Sequence, residues 1–336
     1  MGRTTNTLLF TAAALALAGA ARNRYRRLDL REKTVLITGG SRGLGLILAR
    51  EFARRGARVA VCARDADELH RAKDDISRYG SPALALTCDV SRQEQVDEVV
   101  RRVTQVFGPV DILVNNAGVV QVGPAETMNL EDYEQAMGVH FWGALYATLA
   151  VLPEMYRRRR GRIVNITSIG GKIPVPHMLP YTASKYALVG LSEGLRGELL
   201  KNRIYVTTVI PGLMRTGSPP HAQFKGHAEA EYAWFAISDS TPGLSISAER
   251  AARKIIEACR EGRSHLVLSL PAKLATVIEG IAPGIMTTAM GIANRLLPGP
   301  GGLVSGTRLG RDVRPEWLPR WTTAAGDRAA ERNNEL

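Results

Sequence analysis

The sequence predicts an α/β fold, a doubly wound parallel sheet with helices on both faces. Seven short runs rich in β-branched residues alternate with longer helical patterns between residues 33 and 270. Alternation of this kind builds parallel βαβ units. No repeat of fixed period and no Pro- or Ser-rich linker divides this region. We therefore expect one domain over residues 31–272, with an N-terminal segment at 1–30 and a C-terminal extension at 273–336.

The seven predicted strands are, in chain order, TVLITGG, ARVAVCAR, ALALTCDV, VDILVNNAG, GRIVNITS, RIYVTTVIPG and HLVLSL. In a sheet of this type the ligand binds at the carboxyl ends of the strands. The residues that directly follow each run are therefore the candidates for a binding site.

The composition excludes several classes of protein. Hydrophobic residues make up 45% of the chain and charged residues 23%, which is ordinary for a globular protein with a large core. The cysteines Cys62, Cys88 and Cys259 form no CxxC pair, so neither a disulfide framework nor a metal site is expected. The net charge of +12 favours anionic partners. No nucleic-acid partner is expected, because no recognised motif accompanies this charge.

The N-terminal segment resembles a membrane anchor. Residues 4–21 carry no charge, and four arginines follow within the next six residues, which predicts that the main domain stays on the cytoplasmic side. A cleaved signal peptide and a mobile or packed helix of a soluble cytoplasmic protein are the alternatives.

The C-terminal extension contains a second apolar stretch. Residues 280–294 are uncharged and are interrupted by Pro283 and Gly284. This stretch either lies in a membrane interface, walls an apolar substrate pocket, or packs on the core of a soluble enzyme. The tail beyond Pro298 is rich in Gly, Arg and polar residues, and we expect it to be loosely ordered.

A glycine-rich turn follows the first predicted strand and precedes a helical pattern. Glycines at such a turn let the backbone approach a pyrophosphate, whose charge is met by the helix N-terminus. The residues expected to hold the pyrophosphate are Gly39, Ser41, Arg42, Gly43, Leu44 and Gly45.

An arginine at the end of the second strand favours NADP(H) as the cofactor. Arg64 stands where an acidic side chain would accept a hydrogen bond from the ribose of NAD. Its guanidinium, together with that of Arg42, suits a 2′-phosphate. The alternative is that both are ordinary surface arginines.

A tyrosine and a lysine four residues apart form the candidate catalytic pair. Tyr181 and Lys185 lie on one face of a helix, where an ammonium is expected to lower the pKa of the phenol toward working pH. Ser168 follows the fifth predicted strand, from which its hydroxyl can reach the same pocket. Such a set suits general acid–base catalysis.

The chain resembles the short-chain dehydrogenase/reductase family, a family with the Rossmann fold. The resemblance rests on the TGxxxGxG turn, the NNAG at residues 115–118, Ser168, the YxxxK motif and the Pro-Gly turn at residues 211–212, and it covers about residues 33–270. It implies further cofactor contacts by position, from Asp89, Val90, Asn116, Ala117, Gly118, Tyr181, Lys185, Pro211, Gly212 and Thr216. Asn116 and Gly118 alternatively tie strands together, and Pro211 alternatively shapes a turn.

The resemblance implies hydride transfer between NADPH and a carbonyl, with Tyr181 as the acid and Ser168 holding the oxygen. Lys185 is implied to hold the nicotinamide ribose as well. Family members often form dimers or tetramers, so a homo-oligomer is expected. A rival interpretation is a membrane-attached NADP(H)-binding sensor or scaffold without turnover.

The segment after Thr216 is where the family carries a mobile substrate lid. It contains Phe224, Tyr232, Trp234 and Phe235, which either close over an apolar substrate or pack into the fold. An aromatic lid and the apolar terminal segments favour a lipid-like or steroid-like substrate. An anionic membrane surface is the further partner that we expect.

His140 departs from the family pattern. Reductases of this family usually carry an asparagine there, associated with a local break in the helix and with a water that links the lysine to solvent. Gly138 and Gly143 bracket the position, so the backbone is expected to yield. His140 either relays protons to Lys185 or is a buried side chain with its hydrogen bonds satisfied.

Overall fold

The computed structural model describes residues 27–241, 243, 245–301 and 306–335. The strands in these residues are β1 (Thr34–Thr38), β2 (Arg58–Ala63), β3 (Ala83–Thr87), β4 (Ile112–Asn115), β5 (Gln121–Val122), β6 (Gly161–Ile166), β7 (Ile204–Ile210), β8 (Met214–Arg215), β9 (Gln223–Phe224), β10 (Ile246–Ser247), β11 (His265–Val267) and β12 (Arg308–Leu309). The helices are α1 (Gly43–Ala53), α2 (Ala66–Ser77), α3 (Gln93–Phe107), α4 (Leu130–Met137), α5 (Gly143–Arg158), α6 (Leu179–Leu199), α7 (Ala228–Ser240), α8 (Ala248–Glu261), α9 (Leu270–Ile281), α10 (Pro283–Asn294) and α11 (Arg320–Arg332).

All seven predicted runs form strands of one parallel sheet, in the order β11-β7-β6-β4-β1-β2-β3. The prediction of a doubly wound fold is confirmed. The strand order reverses between β1 and β4. Doubly wound sheets bind their ligands at such a point, at the carboxyl ends of the strands.

Helices cover both faces of the sheet. On one face α1 and α8 pack together and bury side chains such as Phe52 and Ile255. On the other face α3 and α5 bury Val103 and Met155. β1 and β6 are buried along their whole length, which explains why they read as continuous apolar runs rather than as alternating ones.

One continuous helix, Leu130–Arg158, includes α4, a π-helical turn at Gly138–Trp142, and α5. Among the described residues it is the single helix with the length and hydropathy of a membrane span. It packs against α3 and α6 in the centre of the fold, which explains its apolar character. The apolar N-terminal stretch at residues 4–21 lies outside the described residues.

The structure excludes one of the three alternatives for the C-terminal extension and contradicts the expectation of a loose tail. In α9 and α10 only Ala272 and Met286 are buried, so these helices are not packed on the core. Residues 306–335 are ordered rather than loose: β12 pairs with β9, and α11 packs on α7. The reason is a third apolar cluster, in which Val313 and Leu318 of the tail meet the buried ring of Phe224.

Candidate active site

Residues that follow β4 fix the turn after β1 by hydrogen bonds. The Asn116 and Ala117 amides both donate to Thr38 Oγ1, and the Asn116 side chain donates to the carbonyls of Thr38 and Gly39. Gly39 has a φ of +63°, and a methyl group on it would overlap Ala117. Asn116 therefore ties two strands together, which was the alternative to a cofactor contact in the sequence analysis. It thereby fixes the shape of the glycine turn.

Three predicted catalytic side chains meet at the edge of the sheet. Ser168 follows β6, and a methyl group on Gly170 would lie 3.6 Å from Ser168 Oγ and 3.3 Å from the Tyr181 ring, so the two side chains converge at this glycine. Lys185, one turn further along α6, is buried and donates to the Ile166 carbonyl at 3.0 Å. Its Nζ atom lies 5.6 Å from the centre of the Tyr181 ring. This arrangement can hold a substrate oxygen between two hydroxyl groups beside a buried cation.

Burial shifts the pKa of Tyr181 in the direction opposite to the predicted one. Desolvation raises the pKa of Tyr181, and the Ser168 hydrogen bond only partly opposes this. Desolvation also lowers the pKa of Lys185 to about 7. Low polarity disfavours both charged forms, so the expected lowering of the phenol pKa by the ammonium is not what this structure shows.

His140 lies in the π-helical turn, so the backbone does yield at this position. The ring is buried, with Nε2 accepting from the Val119 amide at 3.1 Å and Nδ1 at 2.7 Å from Ser184 Oγ. Because Nε2 accepts, the proton resides on Nδ1, which donates to Ser184. Ser184 in turn donates to the Tyr181 carbonyl. Both ring nitrogens are thus engaged without Lys185, which favours the satisfied side chain over the relay.

A pH–rate comparison tests this interpretation of His140. Desolvation and the nearby Lys185 charge lower the pKa of His140 well below its ordinary value, so the ring stays neutral. We expect wild type, His140→Asn and His140→Ala to give pH profiles of kcat/KM with the same midpoints. His140→Ala should lose about 2 kcal/mol of stability, because the Val119 amide loses its acceptor. A shifted midpoint in either variant would instead support the relay.

The two arginines predicted to bind the 2′-phosphate at the adenosine end have different surroundings. Arg64 is exposed at the end of β2. Arg42 instead pairs with Glu68 at 2.6 Å, and Glu68 also accepts from Ser41 Oγ at 2.8 Å. Arg42 pairs with Glu335 as well, at 3.3 Å. The role of the two carboxylates was not predicted, because nothing near Glu68 or Glu335 in the sequence marks it as a partner of the glycine turn.

The remaining predicted adenosine contacts lie in the segments that follow β3 and β4. Asp89 accepts from the Ser91 amide and hydroxyl, which shapes the turn after β3. Val90 is buried and packs close to Gly143 of α5. Gly118 faces the His140 ring, since an added methyl group would lie 3.2 Å from its Nε2 atom.

The Pro-Gly turn after β7 lies beside Ser168, the serine predicted to be catalytic. The Pro211 carbonyl accepts from the Ile169 amide at 2.7 Å, which fixes the turn against the residue next to Ser168. Gly212 packs against Ser269, and Thr216 is buried with its hydroxyl accepting from the Ser218 amide. Pro211 therefore shapes this turn, and the turn borders the position expected for the nicotinamide.

A buried polar chain that the sequence did not reveal fixes α6 on the sheet. Asn115 donates to Asn165 at 2.8 Å, Asn165 donates to Ser192 at 2.9 Å, and the Ser192 and Thr208 hydroxyls lie 2.7 Å apart. The two adjacent asparagines of NNAG thus have different structural roles. The first one, Asn115, orients the helix that carries Tyr181.

The aromatic segment after Thr216 packs into the fold. Phe224, Tyr232 and Phe235 are buried in the third apolar cluster, and the partly buried Trp234 donates to Glu231. Of the two alternatives for these rings, closure over a substrate or packing into the fold, the structure agrees with the second. Tyr181 packs against the same cluster, so an apolar wall adjoins the predicted catalytic residue.

Comparison with known proteins shows several similarities. Residues 33–223 match the family model described as short chain dehydrogenase. The chain is 32% identical over 262 residues to the dehydrogenase/reductase SDR family protein 7-like of Anopheles gambiae, covering 76% of this chain and 81% of the relative. It is 32% identical over 274 residues to the fatty acyl-CoA reductase of Acinetobacter baylyi, covering 81% and 88%. The crystal structure of L-sorbose reductase from Gluconobacter frateurii with NADPH and L-sorbose has a TM-score of 0.65 and 28% identity, covering 72% of this chain and 97% of that one.

Proposed function

We propose that this chain, which belongs to the short-chain dehydrogenase family and is an oxidoreductase, uses NADP(H) to interconvert a hydrophobic carbonyl and its alcohol, with reduction favoured. The observation that carries the proposal is that the Ser168 hydroxyl and the Tyr181 ring converge at Gly170, one helical turn from the buried Lys185. General acid–base catalysis needs a proton donor within hydrogen-bond reach of the reacting oxygen, and this pair provides two.

The residues of the site divide the reaction between them. Ser168 would hold the substrate oxygen by donating to it, and Tyr181 would give it a proton as negative charge develops there. Lys185 would stabilise the phenolate left behind. In oxidation the same groups act in reverse. The bound dinucleotide supplies or accepts the hydride.

The residues present fit a nicotinamide dinucleotide. Lys185 is buried with one hydrogen-bond acceptor among the described residues, the Ile166 carbonyl, although an ammonium has three donors. Two donors therefore remain for the nicotinamide ribose hydroxyls. At the other end, the turn from Gly39 to Gly45 is so tight that a methyl group at either position would overlap backbone atoms.

Three features support a hydrophobic substrate. Tyr181 adjoins the apolar cluster that contains Met178 and Phe224. The α9–α10 hairpin, residues 270–296, presents a second apolar surface. A relative that matches 81% of the chain is named as a reductase of fatty acyl-CoA. We propose a lipid-like ketone, aldehyde or alcohol.

Turnover distinguishes an enzyme from a sensor or scaffold. Purified protein with NADPH and a panel of apolar carbonyls should oxidise NADPH with at least one member of the panel. Cofactor binding with no oxidation across the panel, unchanged by Tyr181→Phe, would favour the sensor.

Arg64→Asp tests the preference for NADP(H). Removing the guanidinium takes away a charge-assisted partner of the 2′-phosphate, which NADH lacks. We expect the Kd for NADPH to rise about 10- to 100-fold, with a change of less than threefold for NADH, as measured by fluorescence titration. Arg78→Asp, at the opposite end of α2, makes the same charge change and should leave both affinities unaltered. Equal losses for the two cofactors would refute the 2′-phosphate assignment.

We propose that the protein attaches to the cytoplasmic face of an anionic membrane. The N-terminal segment is one attachment. The α9–α10 hairpin adds a second, because Ile281 is 79% exposed and Ile285 65% exposed, and the cations Lys273 and Arg295 lie near the two ends of the hairpin. Helices of 12 residues are too short to span a bilayer but can lie in its interface with flanking cations at the headgroups.

Vesicle sedimentation tests the two attachments separately. We expect deletion of residues 1–27 to weaken binding to vesicles containing anionic lipid, and Ile281→Glu with Ile285→Glu to abolish what remains. Val106→Glu, at an exposed apolar position of α3, is the control and should bind as wild type does. Unchanged sedimentation of the combined variant would rule out both attachments.

We further propose that the protein is a homo-oligomer formed through α5 and α6. Exposed apolar side chains on these helices include Leu149 and Tyr156 of α5 and Leu179 of α6. Light scattering after gel filtration of the protein lacking residues 1–27 should give the mass of a dimer or a tetramer, and a monomer at micromolar concentration would refute the proposal.

A further inference from the structure

The C-terminal residues reach the glycine turn after β1. The Gly43 amide, the first of α1, donates to the Asn333 carbonyl at 2.9 Å. The Asn334 side chain donates to the Ser41 carbonyl at 2.9 Å and to the Glu68 carbonyl at 3.1 Å. The last described residues therefore lie along the turn that is expected to hold the pyrophosphate.

Glu335 places a carboxyl group against the same turn. Its side chain is buried, and Oε2 lies 3.3 Å from Arg42 Nε and 3.3 Å from His221 Nε2. A methyl group at Gly43 would overlap the Glu335 carboxyl. An acidic group at a helix N-terminus beside an arginine has the position that a phosphate of a bound dinucleotide takes.

We infer that residues 333–335, the tail segment, occupy the phosphate end of the cofactor site and must leave it before NADP(H) binds. The tail segment is thus an internal competitor of the cofactor. This inference rests on the proposed binding of NADP(H) at the glycine turn.

Competition follows from shared donors and shared space. The Gly43 amide has one hydrogen, which the Asn333 carbonyl already accepts. The Arg42 guanidinium is divided between Glu68 and Glu335. Burial raises the pKa of Glu335 to about 8, opposed by the Arg42 charge, so the docked carboxyl is largely neutral near pH 7. Exclusion by volume and by occupied donors therefore outweighs charge repulsion.

The tail segment can leave while α11 stays in place. A methyl group on Gly217 would overlap Ala330, and one on Gly326 would lie 2.9 Å from Ser240 Oγ, so α11 packs closely on the body of the protein. These contacts precede the tail segment. A chain that ends at Arg332 should therefore keep α11 and lose only the competitor.

The test compares NADPH affinity with and without the tail segment. We use the full chain, a chain ending at Arg332, and Asn334→Ala with Glu335→Ala, with Glu331→Ala as the matched control because Glu331 is exposed on α11. A tail docked about 90% of the time raises the apparent Kd about tenfold. We expect both tail variants to bind NADPH about tenfold more tightly by fluorescence titration, and the control to bind as the full chain does.

Hydrogen exchange of the full chain gives a second readout. Saturating NADPH should speed exchange at residues 333–335 while it slows exchange at residues 41–44. Slower exchange of the tail on NADPH addition, or equal Kd values for the full chain and both variants, would overturn the inference alone. No NADPH binding by any form would overturn both the inference and the proposed function.

Discussion

Tyr181→Phe should lower kcat for the NADPH-dependent reduction of an apolar carbonyl by about 10³-fold, which corresponds to about 4 kcal/mol of transition-state stabilisation. The change removes only the phenol O–H, the proposed proton donor. The ring should remain, because its packing against Gly170 and its edge contact with the His140 ring, at 5.3 Å between centres, do not involve the hydroxyl. Stopped-flow measurement of NADPH oxidation at saturating substrate gives kcat directly.

Tyr186→Phe is the matched control for this variant. Tyr186 lies on the same helix, is exposed, and loses the same atom, so its kcat should stay within twofold of wild type. NADPH affinity of Tyr181→Phe should change less than threefold. A loss of kcat below tenfold would show that another group donates the proton.

Lys185→Met should lower kcat/KM by about 10²- to 10³-fold and at the same time stabilise the protein near neutral pH. The activity falls because the phenolate loses its cation and the nicotinamide ribose loses its donors. The stability rises because burial lowers the pKa of Lys185 to about 7, from about 10.4 in an unfolded chain. Burying the charged ammonium therefore lowers the stability of the folded wild type. Methionine carries no charge, so Lys185→Met removes this penalty.

The sign of the pH dependence follows from this shift. Between pH 7 and about 10 the unfolded chain binds more protons than the folded one at this position, so the stability of wild type rises with pH. The gain from Lys185→Met should be largest at pH 7 and below and should vanish toward pH 10. Loss of the hydrogen bond to the Ile166 carbonyl offsets part of it, which leaves about 1–3 kcal/mol.

Urea denaturation at pH 6.5 and pH 9.5 measures this difference. Lys254→Met makes the same change at an exposed position of α8 and should alter neither stability nor kcat/KM appreciably. A variant that is less stable than wild type at pH 6.5 would contradict this prediction. It would show that burying the charged ammonium of Lys185 does not lower the free energy of unfolding. The wild-type kcat/KM for reduction should also fall as the pH rises through about 7, since the ammonium is then lost.

Much of the fold was predictable because it depends on short-range patterns. β-branched runs such as TVLIT and RIVNI form strands wherever helices can cover both of their faces, and all seven predicted runs did so. The strands that the sequence did not reveal, such as β8 and β12, have two residues each. Pairs so short carry no periodicity, and their partners are distant in the chain.

The candidate site was predictable in its members but not in its electrostatics. Ser168, Tyr181 and Lys185 follow strand ends or share a helix face, so the sequence places them together. The directions of their pKa shifts depend on burial by elements far apart in sequence. The tautomer of His140 likewise depends on the Val119 amide and Ser184, which only the folded chain brings to its two ring nitrogens.

The sequence by itself determined the parallel sheet, the glycine turn and the candidate catalytic set, because each depends on residue types at fixed local spacing. Only the tertiary structure decided how the apolar hairpin and the tail are placed. α9 and α10 remain exposed because few of their side chains find partners on the domain. Glu335 lies against Gly43, about 290 residues earlier in the chain, through contacts that no local pattern encodes. Such contacts arise when separate surfaces become complementary, and that happens only once both have folded.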